Sequence, residues 1–399
     1  MNPTFRVDVA IIGGGIAGLW LLARLRRRGY SALLIESDQL GAGQTLAAQG
    51  IIHGGAKYGL RGYAGPTADA VAGMPALWRR CLNGEEEIDL RDATLLADHQ
   101  YLWATRAPTS RLTAFFASKL MRGHVEKLAE GAMEASDYPP VLRHPDFQGA
   151  VYRLDEPILD VASVLNVLAG HCQDAIVRSH GLAILKADGN LTLCHPERLQ
   201  LVVRPSVTVF TAGAGNTGLP WATLQLRPLH MVMARGVHLP GAFYAHCVGA
   251  GDVPRLTVTS HYDAHGRLIW YLGGGLAEEG VRRDRREQIR AARRELHALL
   301  PWVDWNLVEF ATFTIQRAEA YQRRGGRPAT TGVFRDGRVI AAWPTKLALA
   351  PLLAEQIEAM LPTLGIKPKL HPVDLGPLAE WPRPGIGVYP WDREDLEWS

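Results

Sequence analysis

Gly13-Gly14-Gly15-Ile16-Ala17-Gly18 has the GxGxxG spacing, and Glu36 closes the apolar run that follows it. The three motif glycines have separate tasks. Gly13 allows a tight turn, Gly15 lets main chain approach a pyrophosphate, and Gly18 permits close packing of helix on strand. A helix opening at Ile16 and Ala17 offers N–H groups and the positive end of its dipole to phosphate. Glu36, with Ser37 beside it, can accept both hydroxyls of an adenosine ribose and would repel a 2′-phosphate, which disfavours NADP. A second glycine-dense stretch runs from Gly41-Ala42-Gly43-Gln44-Thr45 to Gln49-Gly50-Ile51-Ile52-His53-Gly54-Gly55. A histidine in such a loop can polarise a hydroxyl, accept a proton or hold backbone.

The elements around the motif support a dinucleotide site. Residues 7–12 form a near-continuous apolar run suited to a buried parallel strand. Leu19, Leu22, Ala23 and Leu25 recur at helical intervals, Arg26–Arg28 occupy the last turn, and Gly29 is placed to end the helix. Residues 31–35 form a second apolar strand ending at Glu36. The apolar stretch 7–23 is broken by Asp8 and three glycines, so it reads as strand, turn and helix and not as a membrane span or signal peptide.

Composition narrows the class. The 399 residues are 47% apolar and 21% charged, as in a globular chain of two or three domains. A net charge of +3 calls for neither nucleic acid nor an acidic surface. Cys81, Cys172, Cys194 and Cys247 form no CxxC, which argues against a disulfide scaffold or zinc finger and favours a cytoplasmic location. The 14 histidines show no HxH or HExxH pattern, so no metal is expected.

A simple NAD domain has little use for the second glycine loop, whereas a flat isoalloxazine ring must lie against main chain free of side-chain bulk. At these residues the sequence resembles the FAD-dependent oxidoreductases that include D-amino-acid oxidase, glycine and sarcosine oxidases, glycerol-3-phosphate dehydrogenase and L-2-hydroxyglutarate oxidase. The matching pieces are 7–36, the GAGQT…GIIHGGAKY stretch, 209–215 and 332–353. The resemblance implies an α/β fold: a Rossmann-like, glutathione-reductase-like FAD-binding domain with a second, mainly antiparallel β-sheet substrate domain plus helices. It implies that Gly13, Gly15, Gly18 and Glu36 hold the ADP half of FAD. Gly43, Gln44 and Thr45 would lie near the pyrophosphate and ribityl chain, and Gln49 to Gly54, including Gly50, Ile52 and His53, near the flavin. Val177 would meet adenine, Ala212-Gly213 would close over the nucleotide, and Thr345, Lys346 and Leu347 would open a final helix facing the flavin. Arg317 falls where the resemblance places a substrate-anion arginine, flanked here by Gln316 and Ala318 where glycine and proline are common. Ala342-Trp343-Pro344 stands where a glycine-rich turn is usual. No residue matches a covalent flavin link, so FAD is expected to be non-covalent.

The matched pieces predict a discontinuous FAD-binding domain at 1–75, 150–225 and 325–370. The substrate domain would take 76–149 and 226–324, with strand character at 94–105, 227–237 and 256–272 and a hairpin turn at Asp263-Ala264-His265-Gly266. A Pro- and Trp-rich tail, 371–399, would wrap on its own domain. His53, Arg317 and Lys346 are the catalytic candidates, with Lys57 and Tyr58 behind them and Tyr262, Tyr271 and Tyr321 as aromatic wall. An arginine fork matches a carboxylate or phosphate, although Arg317 could instead pair with Glu319 or Asp336. The expected reaction is hydride removal from a C–H next to nitrogen in an amino acid or amine, with oxygen or a quinone as final acceptor. A 2-hydroxy acid or glycerol phosphate is the alternative substrate. Arginines between 282 and 294 suggest an exposed amphipathic helix, or less simply a tRNA-modifying enzyme. An assembly subunit without catalysis and an NAD-only dehydrogenase complete the alternatives.

Overall fold

The computed structural model describes residues 4–54, 71–105, 125–128, 138–179, 184–185, 189–195, 200–248, 253–323, 326, 328, 330–369 and 375–399. Among these, two eight-stranded sheets dominate. The apolar run at the start is the strand Thr4–Ile12, lying between Ala32–Glu36 and Leu201–Phe210 in parallel pairing. Ile176–Arg178 extends the sheet in parallel beyond Ala32–Glu36. Val339–Trp343 extends it on the other side, with Gly332–Asp336 antiparallel at the edge. Both faces of this sheet are covered, which explains why its central strands are apolar without alternation.

The helix Ile16–Arg27 packs on one face with Val161–Gly170 and Ala350–Met360, and Leu19, Leu22, Leu165, Leu353 and Ile357 share one buried cluster. The segment Leu347–Leu364 is long and apolar enough to cross a bilayer by composition, yet this packing buries Leu349, Leu353 and Ile357 in the core.

The second sheet runs, in order, through Glu309–Ala320, Leu224–Arg235, Leu268–Gly273, Leu256–Tyr262, Ala245–Cys247, Gln100–Ala104, Ala150–Leu154 and Val125–Lys127. Its pairs are antiparallel except Ala245–Cys247 with Gln100–Ala104. Strand periodicity sorts the side chains. Val232 and Ala234 point to a core shared with Trp270 and Phe310, whereas Met231 and Met233 belong to a cluster on the opposite face. The arginine-rich segment forms the helix Arg285–Leu299, opened by an Asp284/Glu287 capping box. Its Ile289, Leu296 and Leu299 enter the core behind the sheet. Arg283 pairs with Glu279, and Arg293 donates to the carbonyls of Trp305 and Val308. The expected hairpin turn is present, with Gly266 at φ +75° and the Asp263 carboxylate accepting from the His265 and Arg267 amides.

The tail touches both sheets. Its Pro382 carbonyl accepts from the Arg178 amide, and Gly385 and Gly387 pair with Leu40. Further on, Trp391 stacks on His261, and Ser399 exchanges backbone hydrogen bonds with Phe310.

Candidate active site

A cavity of about 290 Å³ lies between the two sheets. One wall is main chain: Gly15, Ile16 and Ala17 at the helix start, Gln44, Thr45, Gln49, Gly50 and His53 from the second glycine loop, and Thr211 and Gly213 beyond the strand Leu201–Phe210. The other wall is the second sheet, which contributes Leu229, Met231, Thr257, Gly273, Ile315 and Arg317. Trp343, Thr345, Lys346 and Leu347 close one end.

The glycine turn behaves as its spacing predicts. Gly13 sits at φ +108°, and a Cβ there would stand 2.7 Å from the Ala212 Cα. A Cβ on Gly18 would collide with the Gly13 carbonyl oxygen. Gly15 differs: a Cβ there would stand 2.9 Å from Thr45 Oγ1, so it would press on a side chain and not on backbone. The helix Ile16–Arg27 has no side-chain cap at Gly15, and the Ile16 amide donates to Thr45 Oγ1 at 3.2 Å. Glu36 ends its strand against this turn. One carboxylate oxygen accepts from the Gly14 amide at 2.6 Å and the other from the Ser37 and Asp38 amides.

The second loop reaches across to the opposite sheet. Gln44 Oε1 accepts from the Ala318 amide at 2.9 Å, and Gln49 Nε2 donates to the Tyr271 carbonyl at 3.0 Å. Gly43 faces open space, and Gly50 takes φ +72° where the chain presses against Leu159. The Ile52 and Val177 side chains are fully buried in the two cores flanking the first sheet, so these residues can offer a ligand main chain only. Ala212 packs against the Gly13 turn, next to Gly213 in the cavity wall.

The final helix departs from expectation. Residues 347–349 form a 3₁₀ turn, and the α-helix begins at Ala350. Thr345 just before it has φ +65°, alone among described non-glycine residues in being positive. Such a conformation costs a β-branched residue about 1–3 kcal/mol. Thr345 Oγ1 donates to the Thr330 carbonyl, which helps to hold this turn at the cavity mouth. Trp343 is buried, with its indole N–H donated to the Gly213 carbonyl and Phe334 against its ring.

Arg317 lies opposite Arg227 in the pairing of two long strands. Its Nη2 is 3.6 Å from Glu278 Oε1, and Arg227 pairs with Glu319 at 3.1 Å. Among the described ion pairs Arg317 faces Glu278, and neither Glu319 nor Asp336. Tyr262 and Tyr321 are more than half exposed and do not line the cavity, while Tyr271 is buried with its hydroxyl on the Ala47 carbonyl. Gly55, Lys57 and Tyr58 lie outside the described residues.

His53 acquires neighbours that its sequence context does not announce. Glu156, buried after the strand Ala150–Leu154, approaches His53 Nδ1 to 3.1 Å. His246 stacks on the His53 ring at 5.7 Å between centroids. Together these residues form a His/Glu/His group of ligand types, with the contributing atoms within 4.8 Å of one another.

A helix start over a glycine turn, a second glycine loop beside it and a covering sheet define a dinucleotide-binding fold. The family profile described as FAD dependent oxidoreductase matches residues 8–350, and the chain belongs to that family. It is 44% identical over 400 residues to "Probable FAD-dependent oxidoreductase PA4991" of Pseudomonas aeruginosa, covering 98% of this chain and 99% of that one. The crystal structure of that protein matches with a TM-score of 0.81 at 40% identity, over 98% and 99% of the two chains. Glycine oxidase from Geobacillus kaustophilus shares the fold with a TM-score of 0.59 at 18% identity, over 92% of this chain and 99% of that one. L-alpha-glycerophosphate oxidase from Mycoplasma pneumoniae, solved with FAD bound, shares it with a TM-score of 0.61 at 14% identity, over 92% and 97%. The protein is an FAD-dependent oxidoreductase. The residues present fit the cofactor, because the glycine turn brings a helix start, free of side-chain bulk at Gly15, to the cavity wall, which suits a pyrophosphate.

Proposed function

We propose that the protein oxidises a C–H bond next to nitrogen in a small anionic amino acid or amine, with Arg317 holding the anionic group. The observation that carries this reading is the place of Arg317, on the sheet wall of the cavity whose other wall is the glycine cradle. A planar guanidinium binds a carboxylate through paired hydrogen bonds, and this one already faces the Glu278 carboxylate. Gly13, Gly15, Gly18 and Glu36 would hold the ADP half of FAD, and the loop 43–53 with Thr345, Lys346 and Leu347 would surround the ring. Bound there without a covalent link, FAD supplies a two-electron acceptor, with oxygen or a quinone as the final oxidant. Leu229, Met231 and Ile315 keep water from the reacting carbon, and Lys346 adds a second cation at the cavity end. The name of glycine oxidase supports an amino-acid substrate.

A 2-hydroxy acid or glycerol phosphate is the second reading. Its support is the contact between His53 and Glu156, since a hydroxyl must always lose a proton, whereas an amine must do so only when it arrives as ammonium. The test is anaerobic mixing with amino acids, amines and hydroxy acids while flavin absorbance is followed. The expected result is bleaching by an acid of one class. Arg317→Ala should raise its KM by about 10- to 100-fold, the worth of a charged hydrogen bond, while FAD stays bound. An unchanged KM would remove Arg317 from the assignment.

A further inference from the structure

The contacts of Glu156 converge in one direction. Its carboxylate is 3% exposed. The Gly54 amide donates to Oε1 at 2.7 Å, and Gln100 Nε2 donates to Oε2. Gln100 is held there by the register of its strand, in which it sits opposite Leu154. His53 Nδ1 lies 3.1 Å from the same Oε2. A carboxylate can only accept, so Nδ1 carries a ring proton, and in the neutral imidazole it is Nε2 that holds the lone pair. His53 lines the cavity, and His246 stacks along its ring plane at 23°, its own Nδ1 2.8 Å from Thr257 Oγ1. The imidazole is thus fixed from behind by a buried anion and from the side by a second ring.

We infer that Glu156 is a positioning residue that fixes His53 as the proton acceptor of the oxidation, resting on the reaction proposed above. The proton on the substrate nitrogen or oxygen passes to His53 Nε2, and the electron pair of that bond forms the new double bond to carbon. The hydrogen of the adjoining C–H leaves with its electron pair as hydride, and the oxidant is the FAD that the family's activity supplies. Removing the proton raises electron density on the heteroatom and so assists hydride loss. Each partner has one task. Arg317 sets where the substrate sits, and the His53–Glu156 pair sets when its heteroatom is ready.

The same three side chains are metal-ligand types, so a divalent cation is the competing reading. Hydrogen bonding is favoured because both Glu156 oxygens already accept from N–H donors and the His53 contact is of hydrogen-bond length.

The experiment compares wild-type holoenzyme with Glu156→Gln, Glu156→Asp and His53→Gln. The first readout needs no substrate: ¹⁵N NMR of the His53 ring. The expected result is protonated Nδ1 in wild type and a changed tautomer ratio in Glu156→Gln. The second is anaerobic flavin reduction across pH, in which Glu156→Gln should lower the limiting rate about 100-fold or more and move the acid limb to lower pH. KM, set by Arg317, should stay put, and Glu156→Asp should restore part of the rate. Should Glu156→Gln lose FAD or fold poorly, His53→Gln must show the same rate loss and no acid limb. An unaltered tautomer or an unaltered rate would overturn the inference. So would activity lost to a chelator and regained with zinc or manganese alone. If no substrate bleaches wild type, the reaction reading fails by itself, and the NMR result still decides the His53–Glu156 pair.

Discussion

At the scale of single residues, the glycines of the first turn separate fold from ligand. Gly18 is packed against the Gly13 carbonyl, so a methyl group there must displace main chain. Gly18→Ala should therefore lower the stability of the apoprotein by about 1–3 kcal/mol, seen in thermal unfolding. Gly15 has only a hydroxyl nearby. Gly15→Ala asks only the Thr45 side chain to shift, so it should cost the apoprotein less than Gly18→Ala while weakening FAD at least about tenfold in a fluorescence titration, an energy of about 1.4 kcal/mol. Equal losses of stability in both variants would show that Gly15 is a packing glycine. The motif assigns the two positions different tasks, and the chain opposite each bears this out for Gly18, which meets backbone, and Gly15, which meets a side chain. Glu156 and His246 gave no sequence signal. They stand 103 and 193 positions from His53, and strand register is what brings them together.

At the scale of elements, the tail acts as a packed strap across the second sheet. Trp391 is 3% exposed and lies between His261, 4.5 Å away, and Tyr389, also 4.5 Å away. Burial pushes the His261 imidazole down to about 3. Its folded value lies below the ordinary value of about 6.5, so the unfolded chain takes up the proton first as pH falls. The part of the stability linked to His261 is whole above about pH 6.5, declines between there and about 3, and is lost below. Trp391→Ala should cost about 3–5 kcal/mol at neutral pH and, by letting water reach His261, flatten that acid-side decline. Denaturant titrations at pH 7 and pH 5 measure both effects. A variant as pH-sensitive as wild type would mean that another group causes the decline. The sequence foretold that the tail wraps on the protein, but its prolines and tryptophans have no period from which a path across both sheets could be read. Helical periodicity made the arginine-rich helix legible, and the family resemblance implied the mainly antiparallel sheet. The resemblance placed the start of the last helix too early, where Thr345 takes a left-handed conformation that its residue type argues against.

At the scale of the whole molecule, the second glycine loop joins the sheets through Gln44 to Ala318 and Gln49 to Tyr271, on either side of the cavity. A ligand held there should therefore stabilise the chain as one unit. Raising FAD to 100 times its dissociation constant should add about 2.7 kcal/mol to apoprotein stability, measured as a concentration-dependent Tm. A Tm independent of FAD would place the cofactor outside this fold. The fold class was legible because buried parallel strands and the glycine turn are local patterns, whereas the pairing of Arg317 with Glu278 depends on side chains from separate elements.

A crystal structure of the FAD-loaded protein with a carboxylate substrate analogue tests most directly whether substrate is oxidised between the glycine cradle and the second sheet, anchored by Arg317. The predicted result is a carboxylate bonded to the Arg317 guanidinium, with the reacting carbon between the flavin ring and His53. An analogue bound elsewhere, with Arg317 still paired to Glu278, would contradict it.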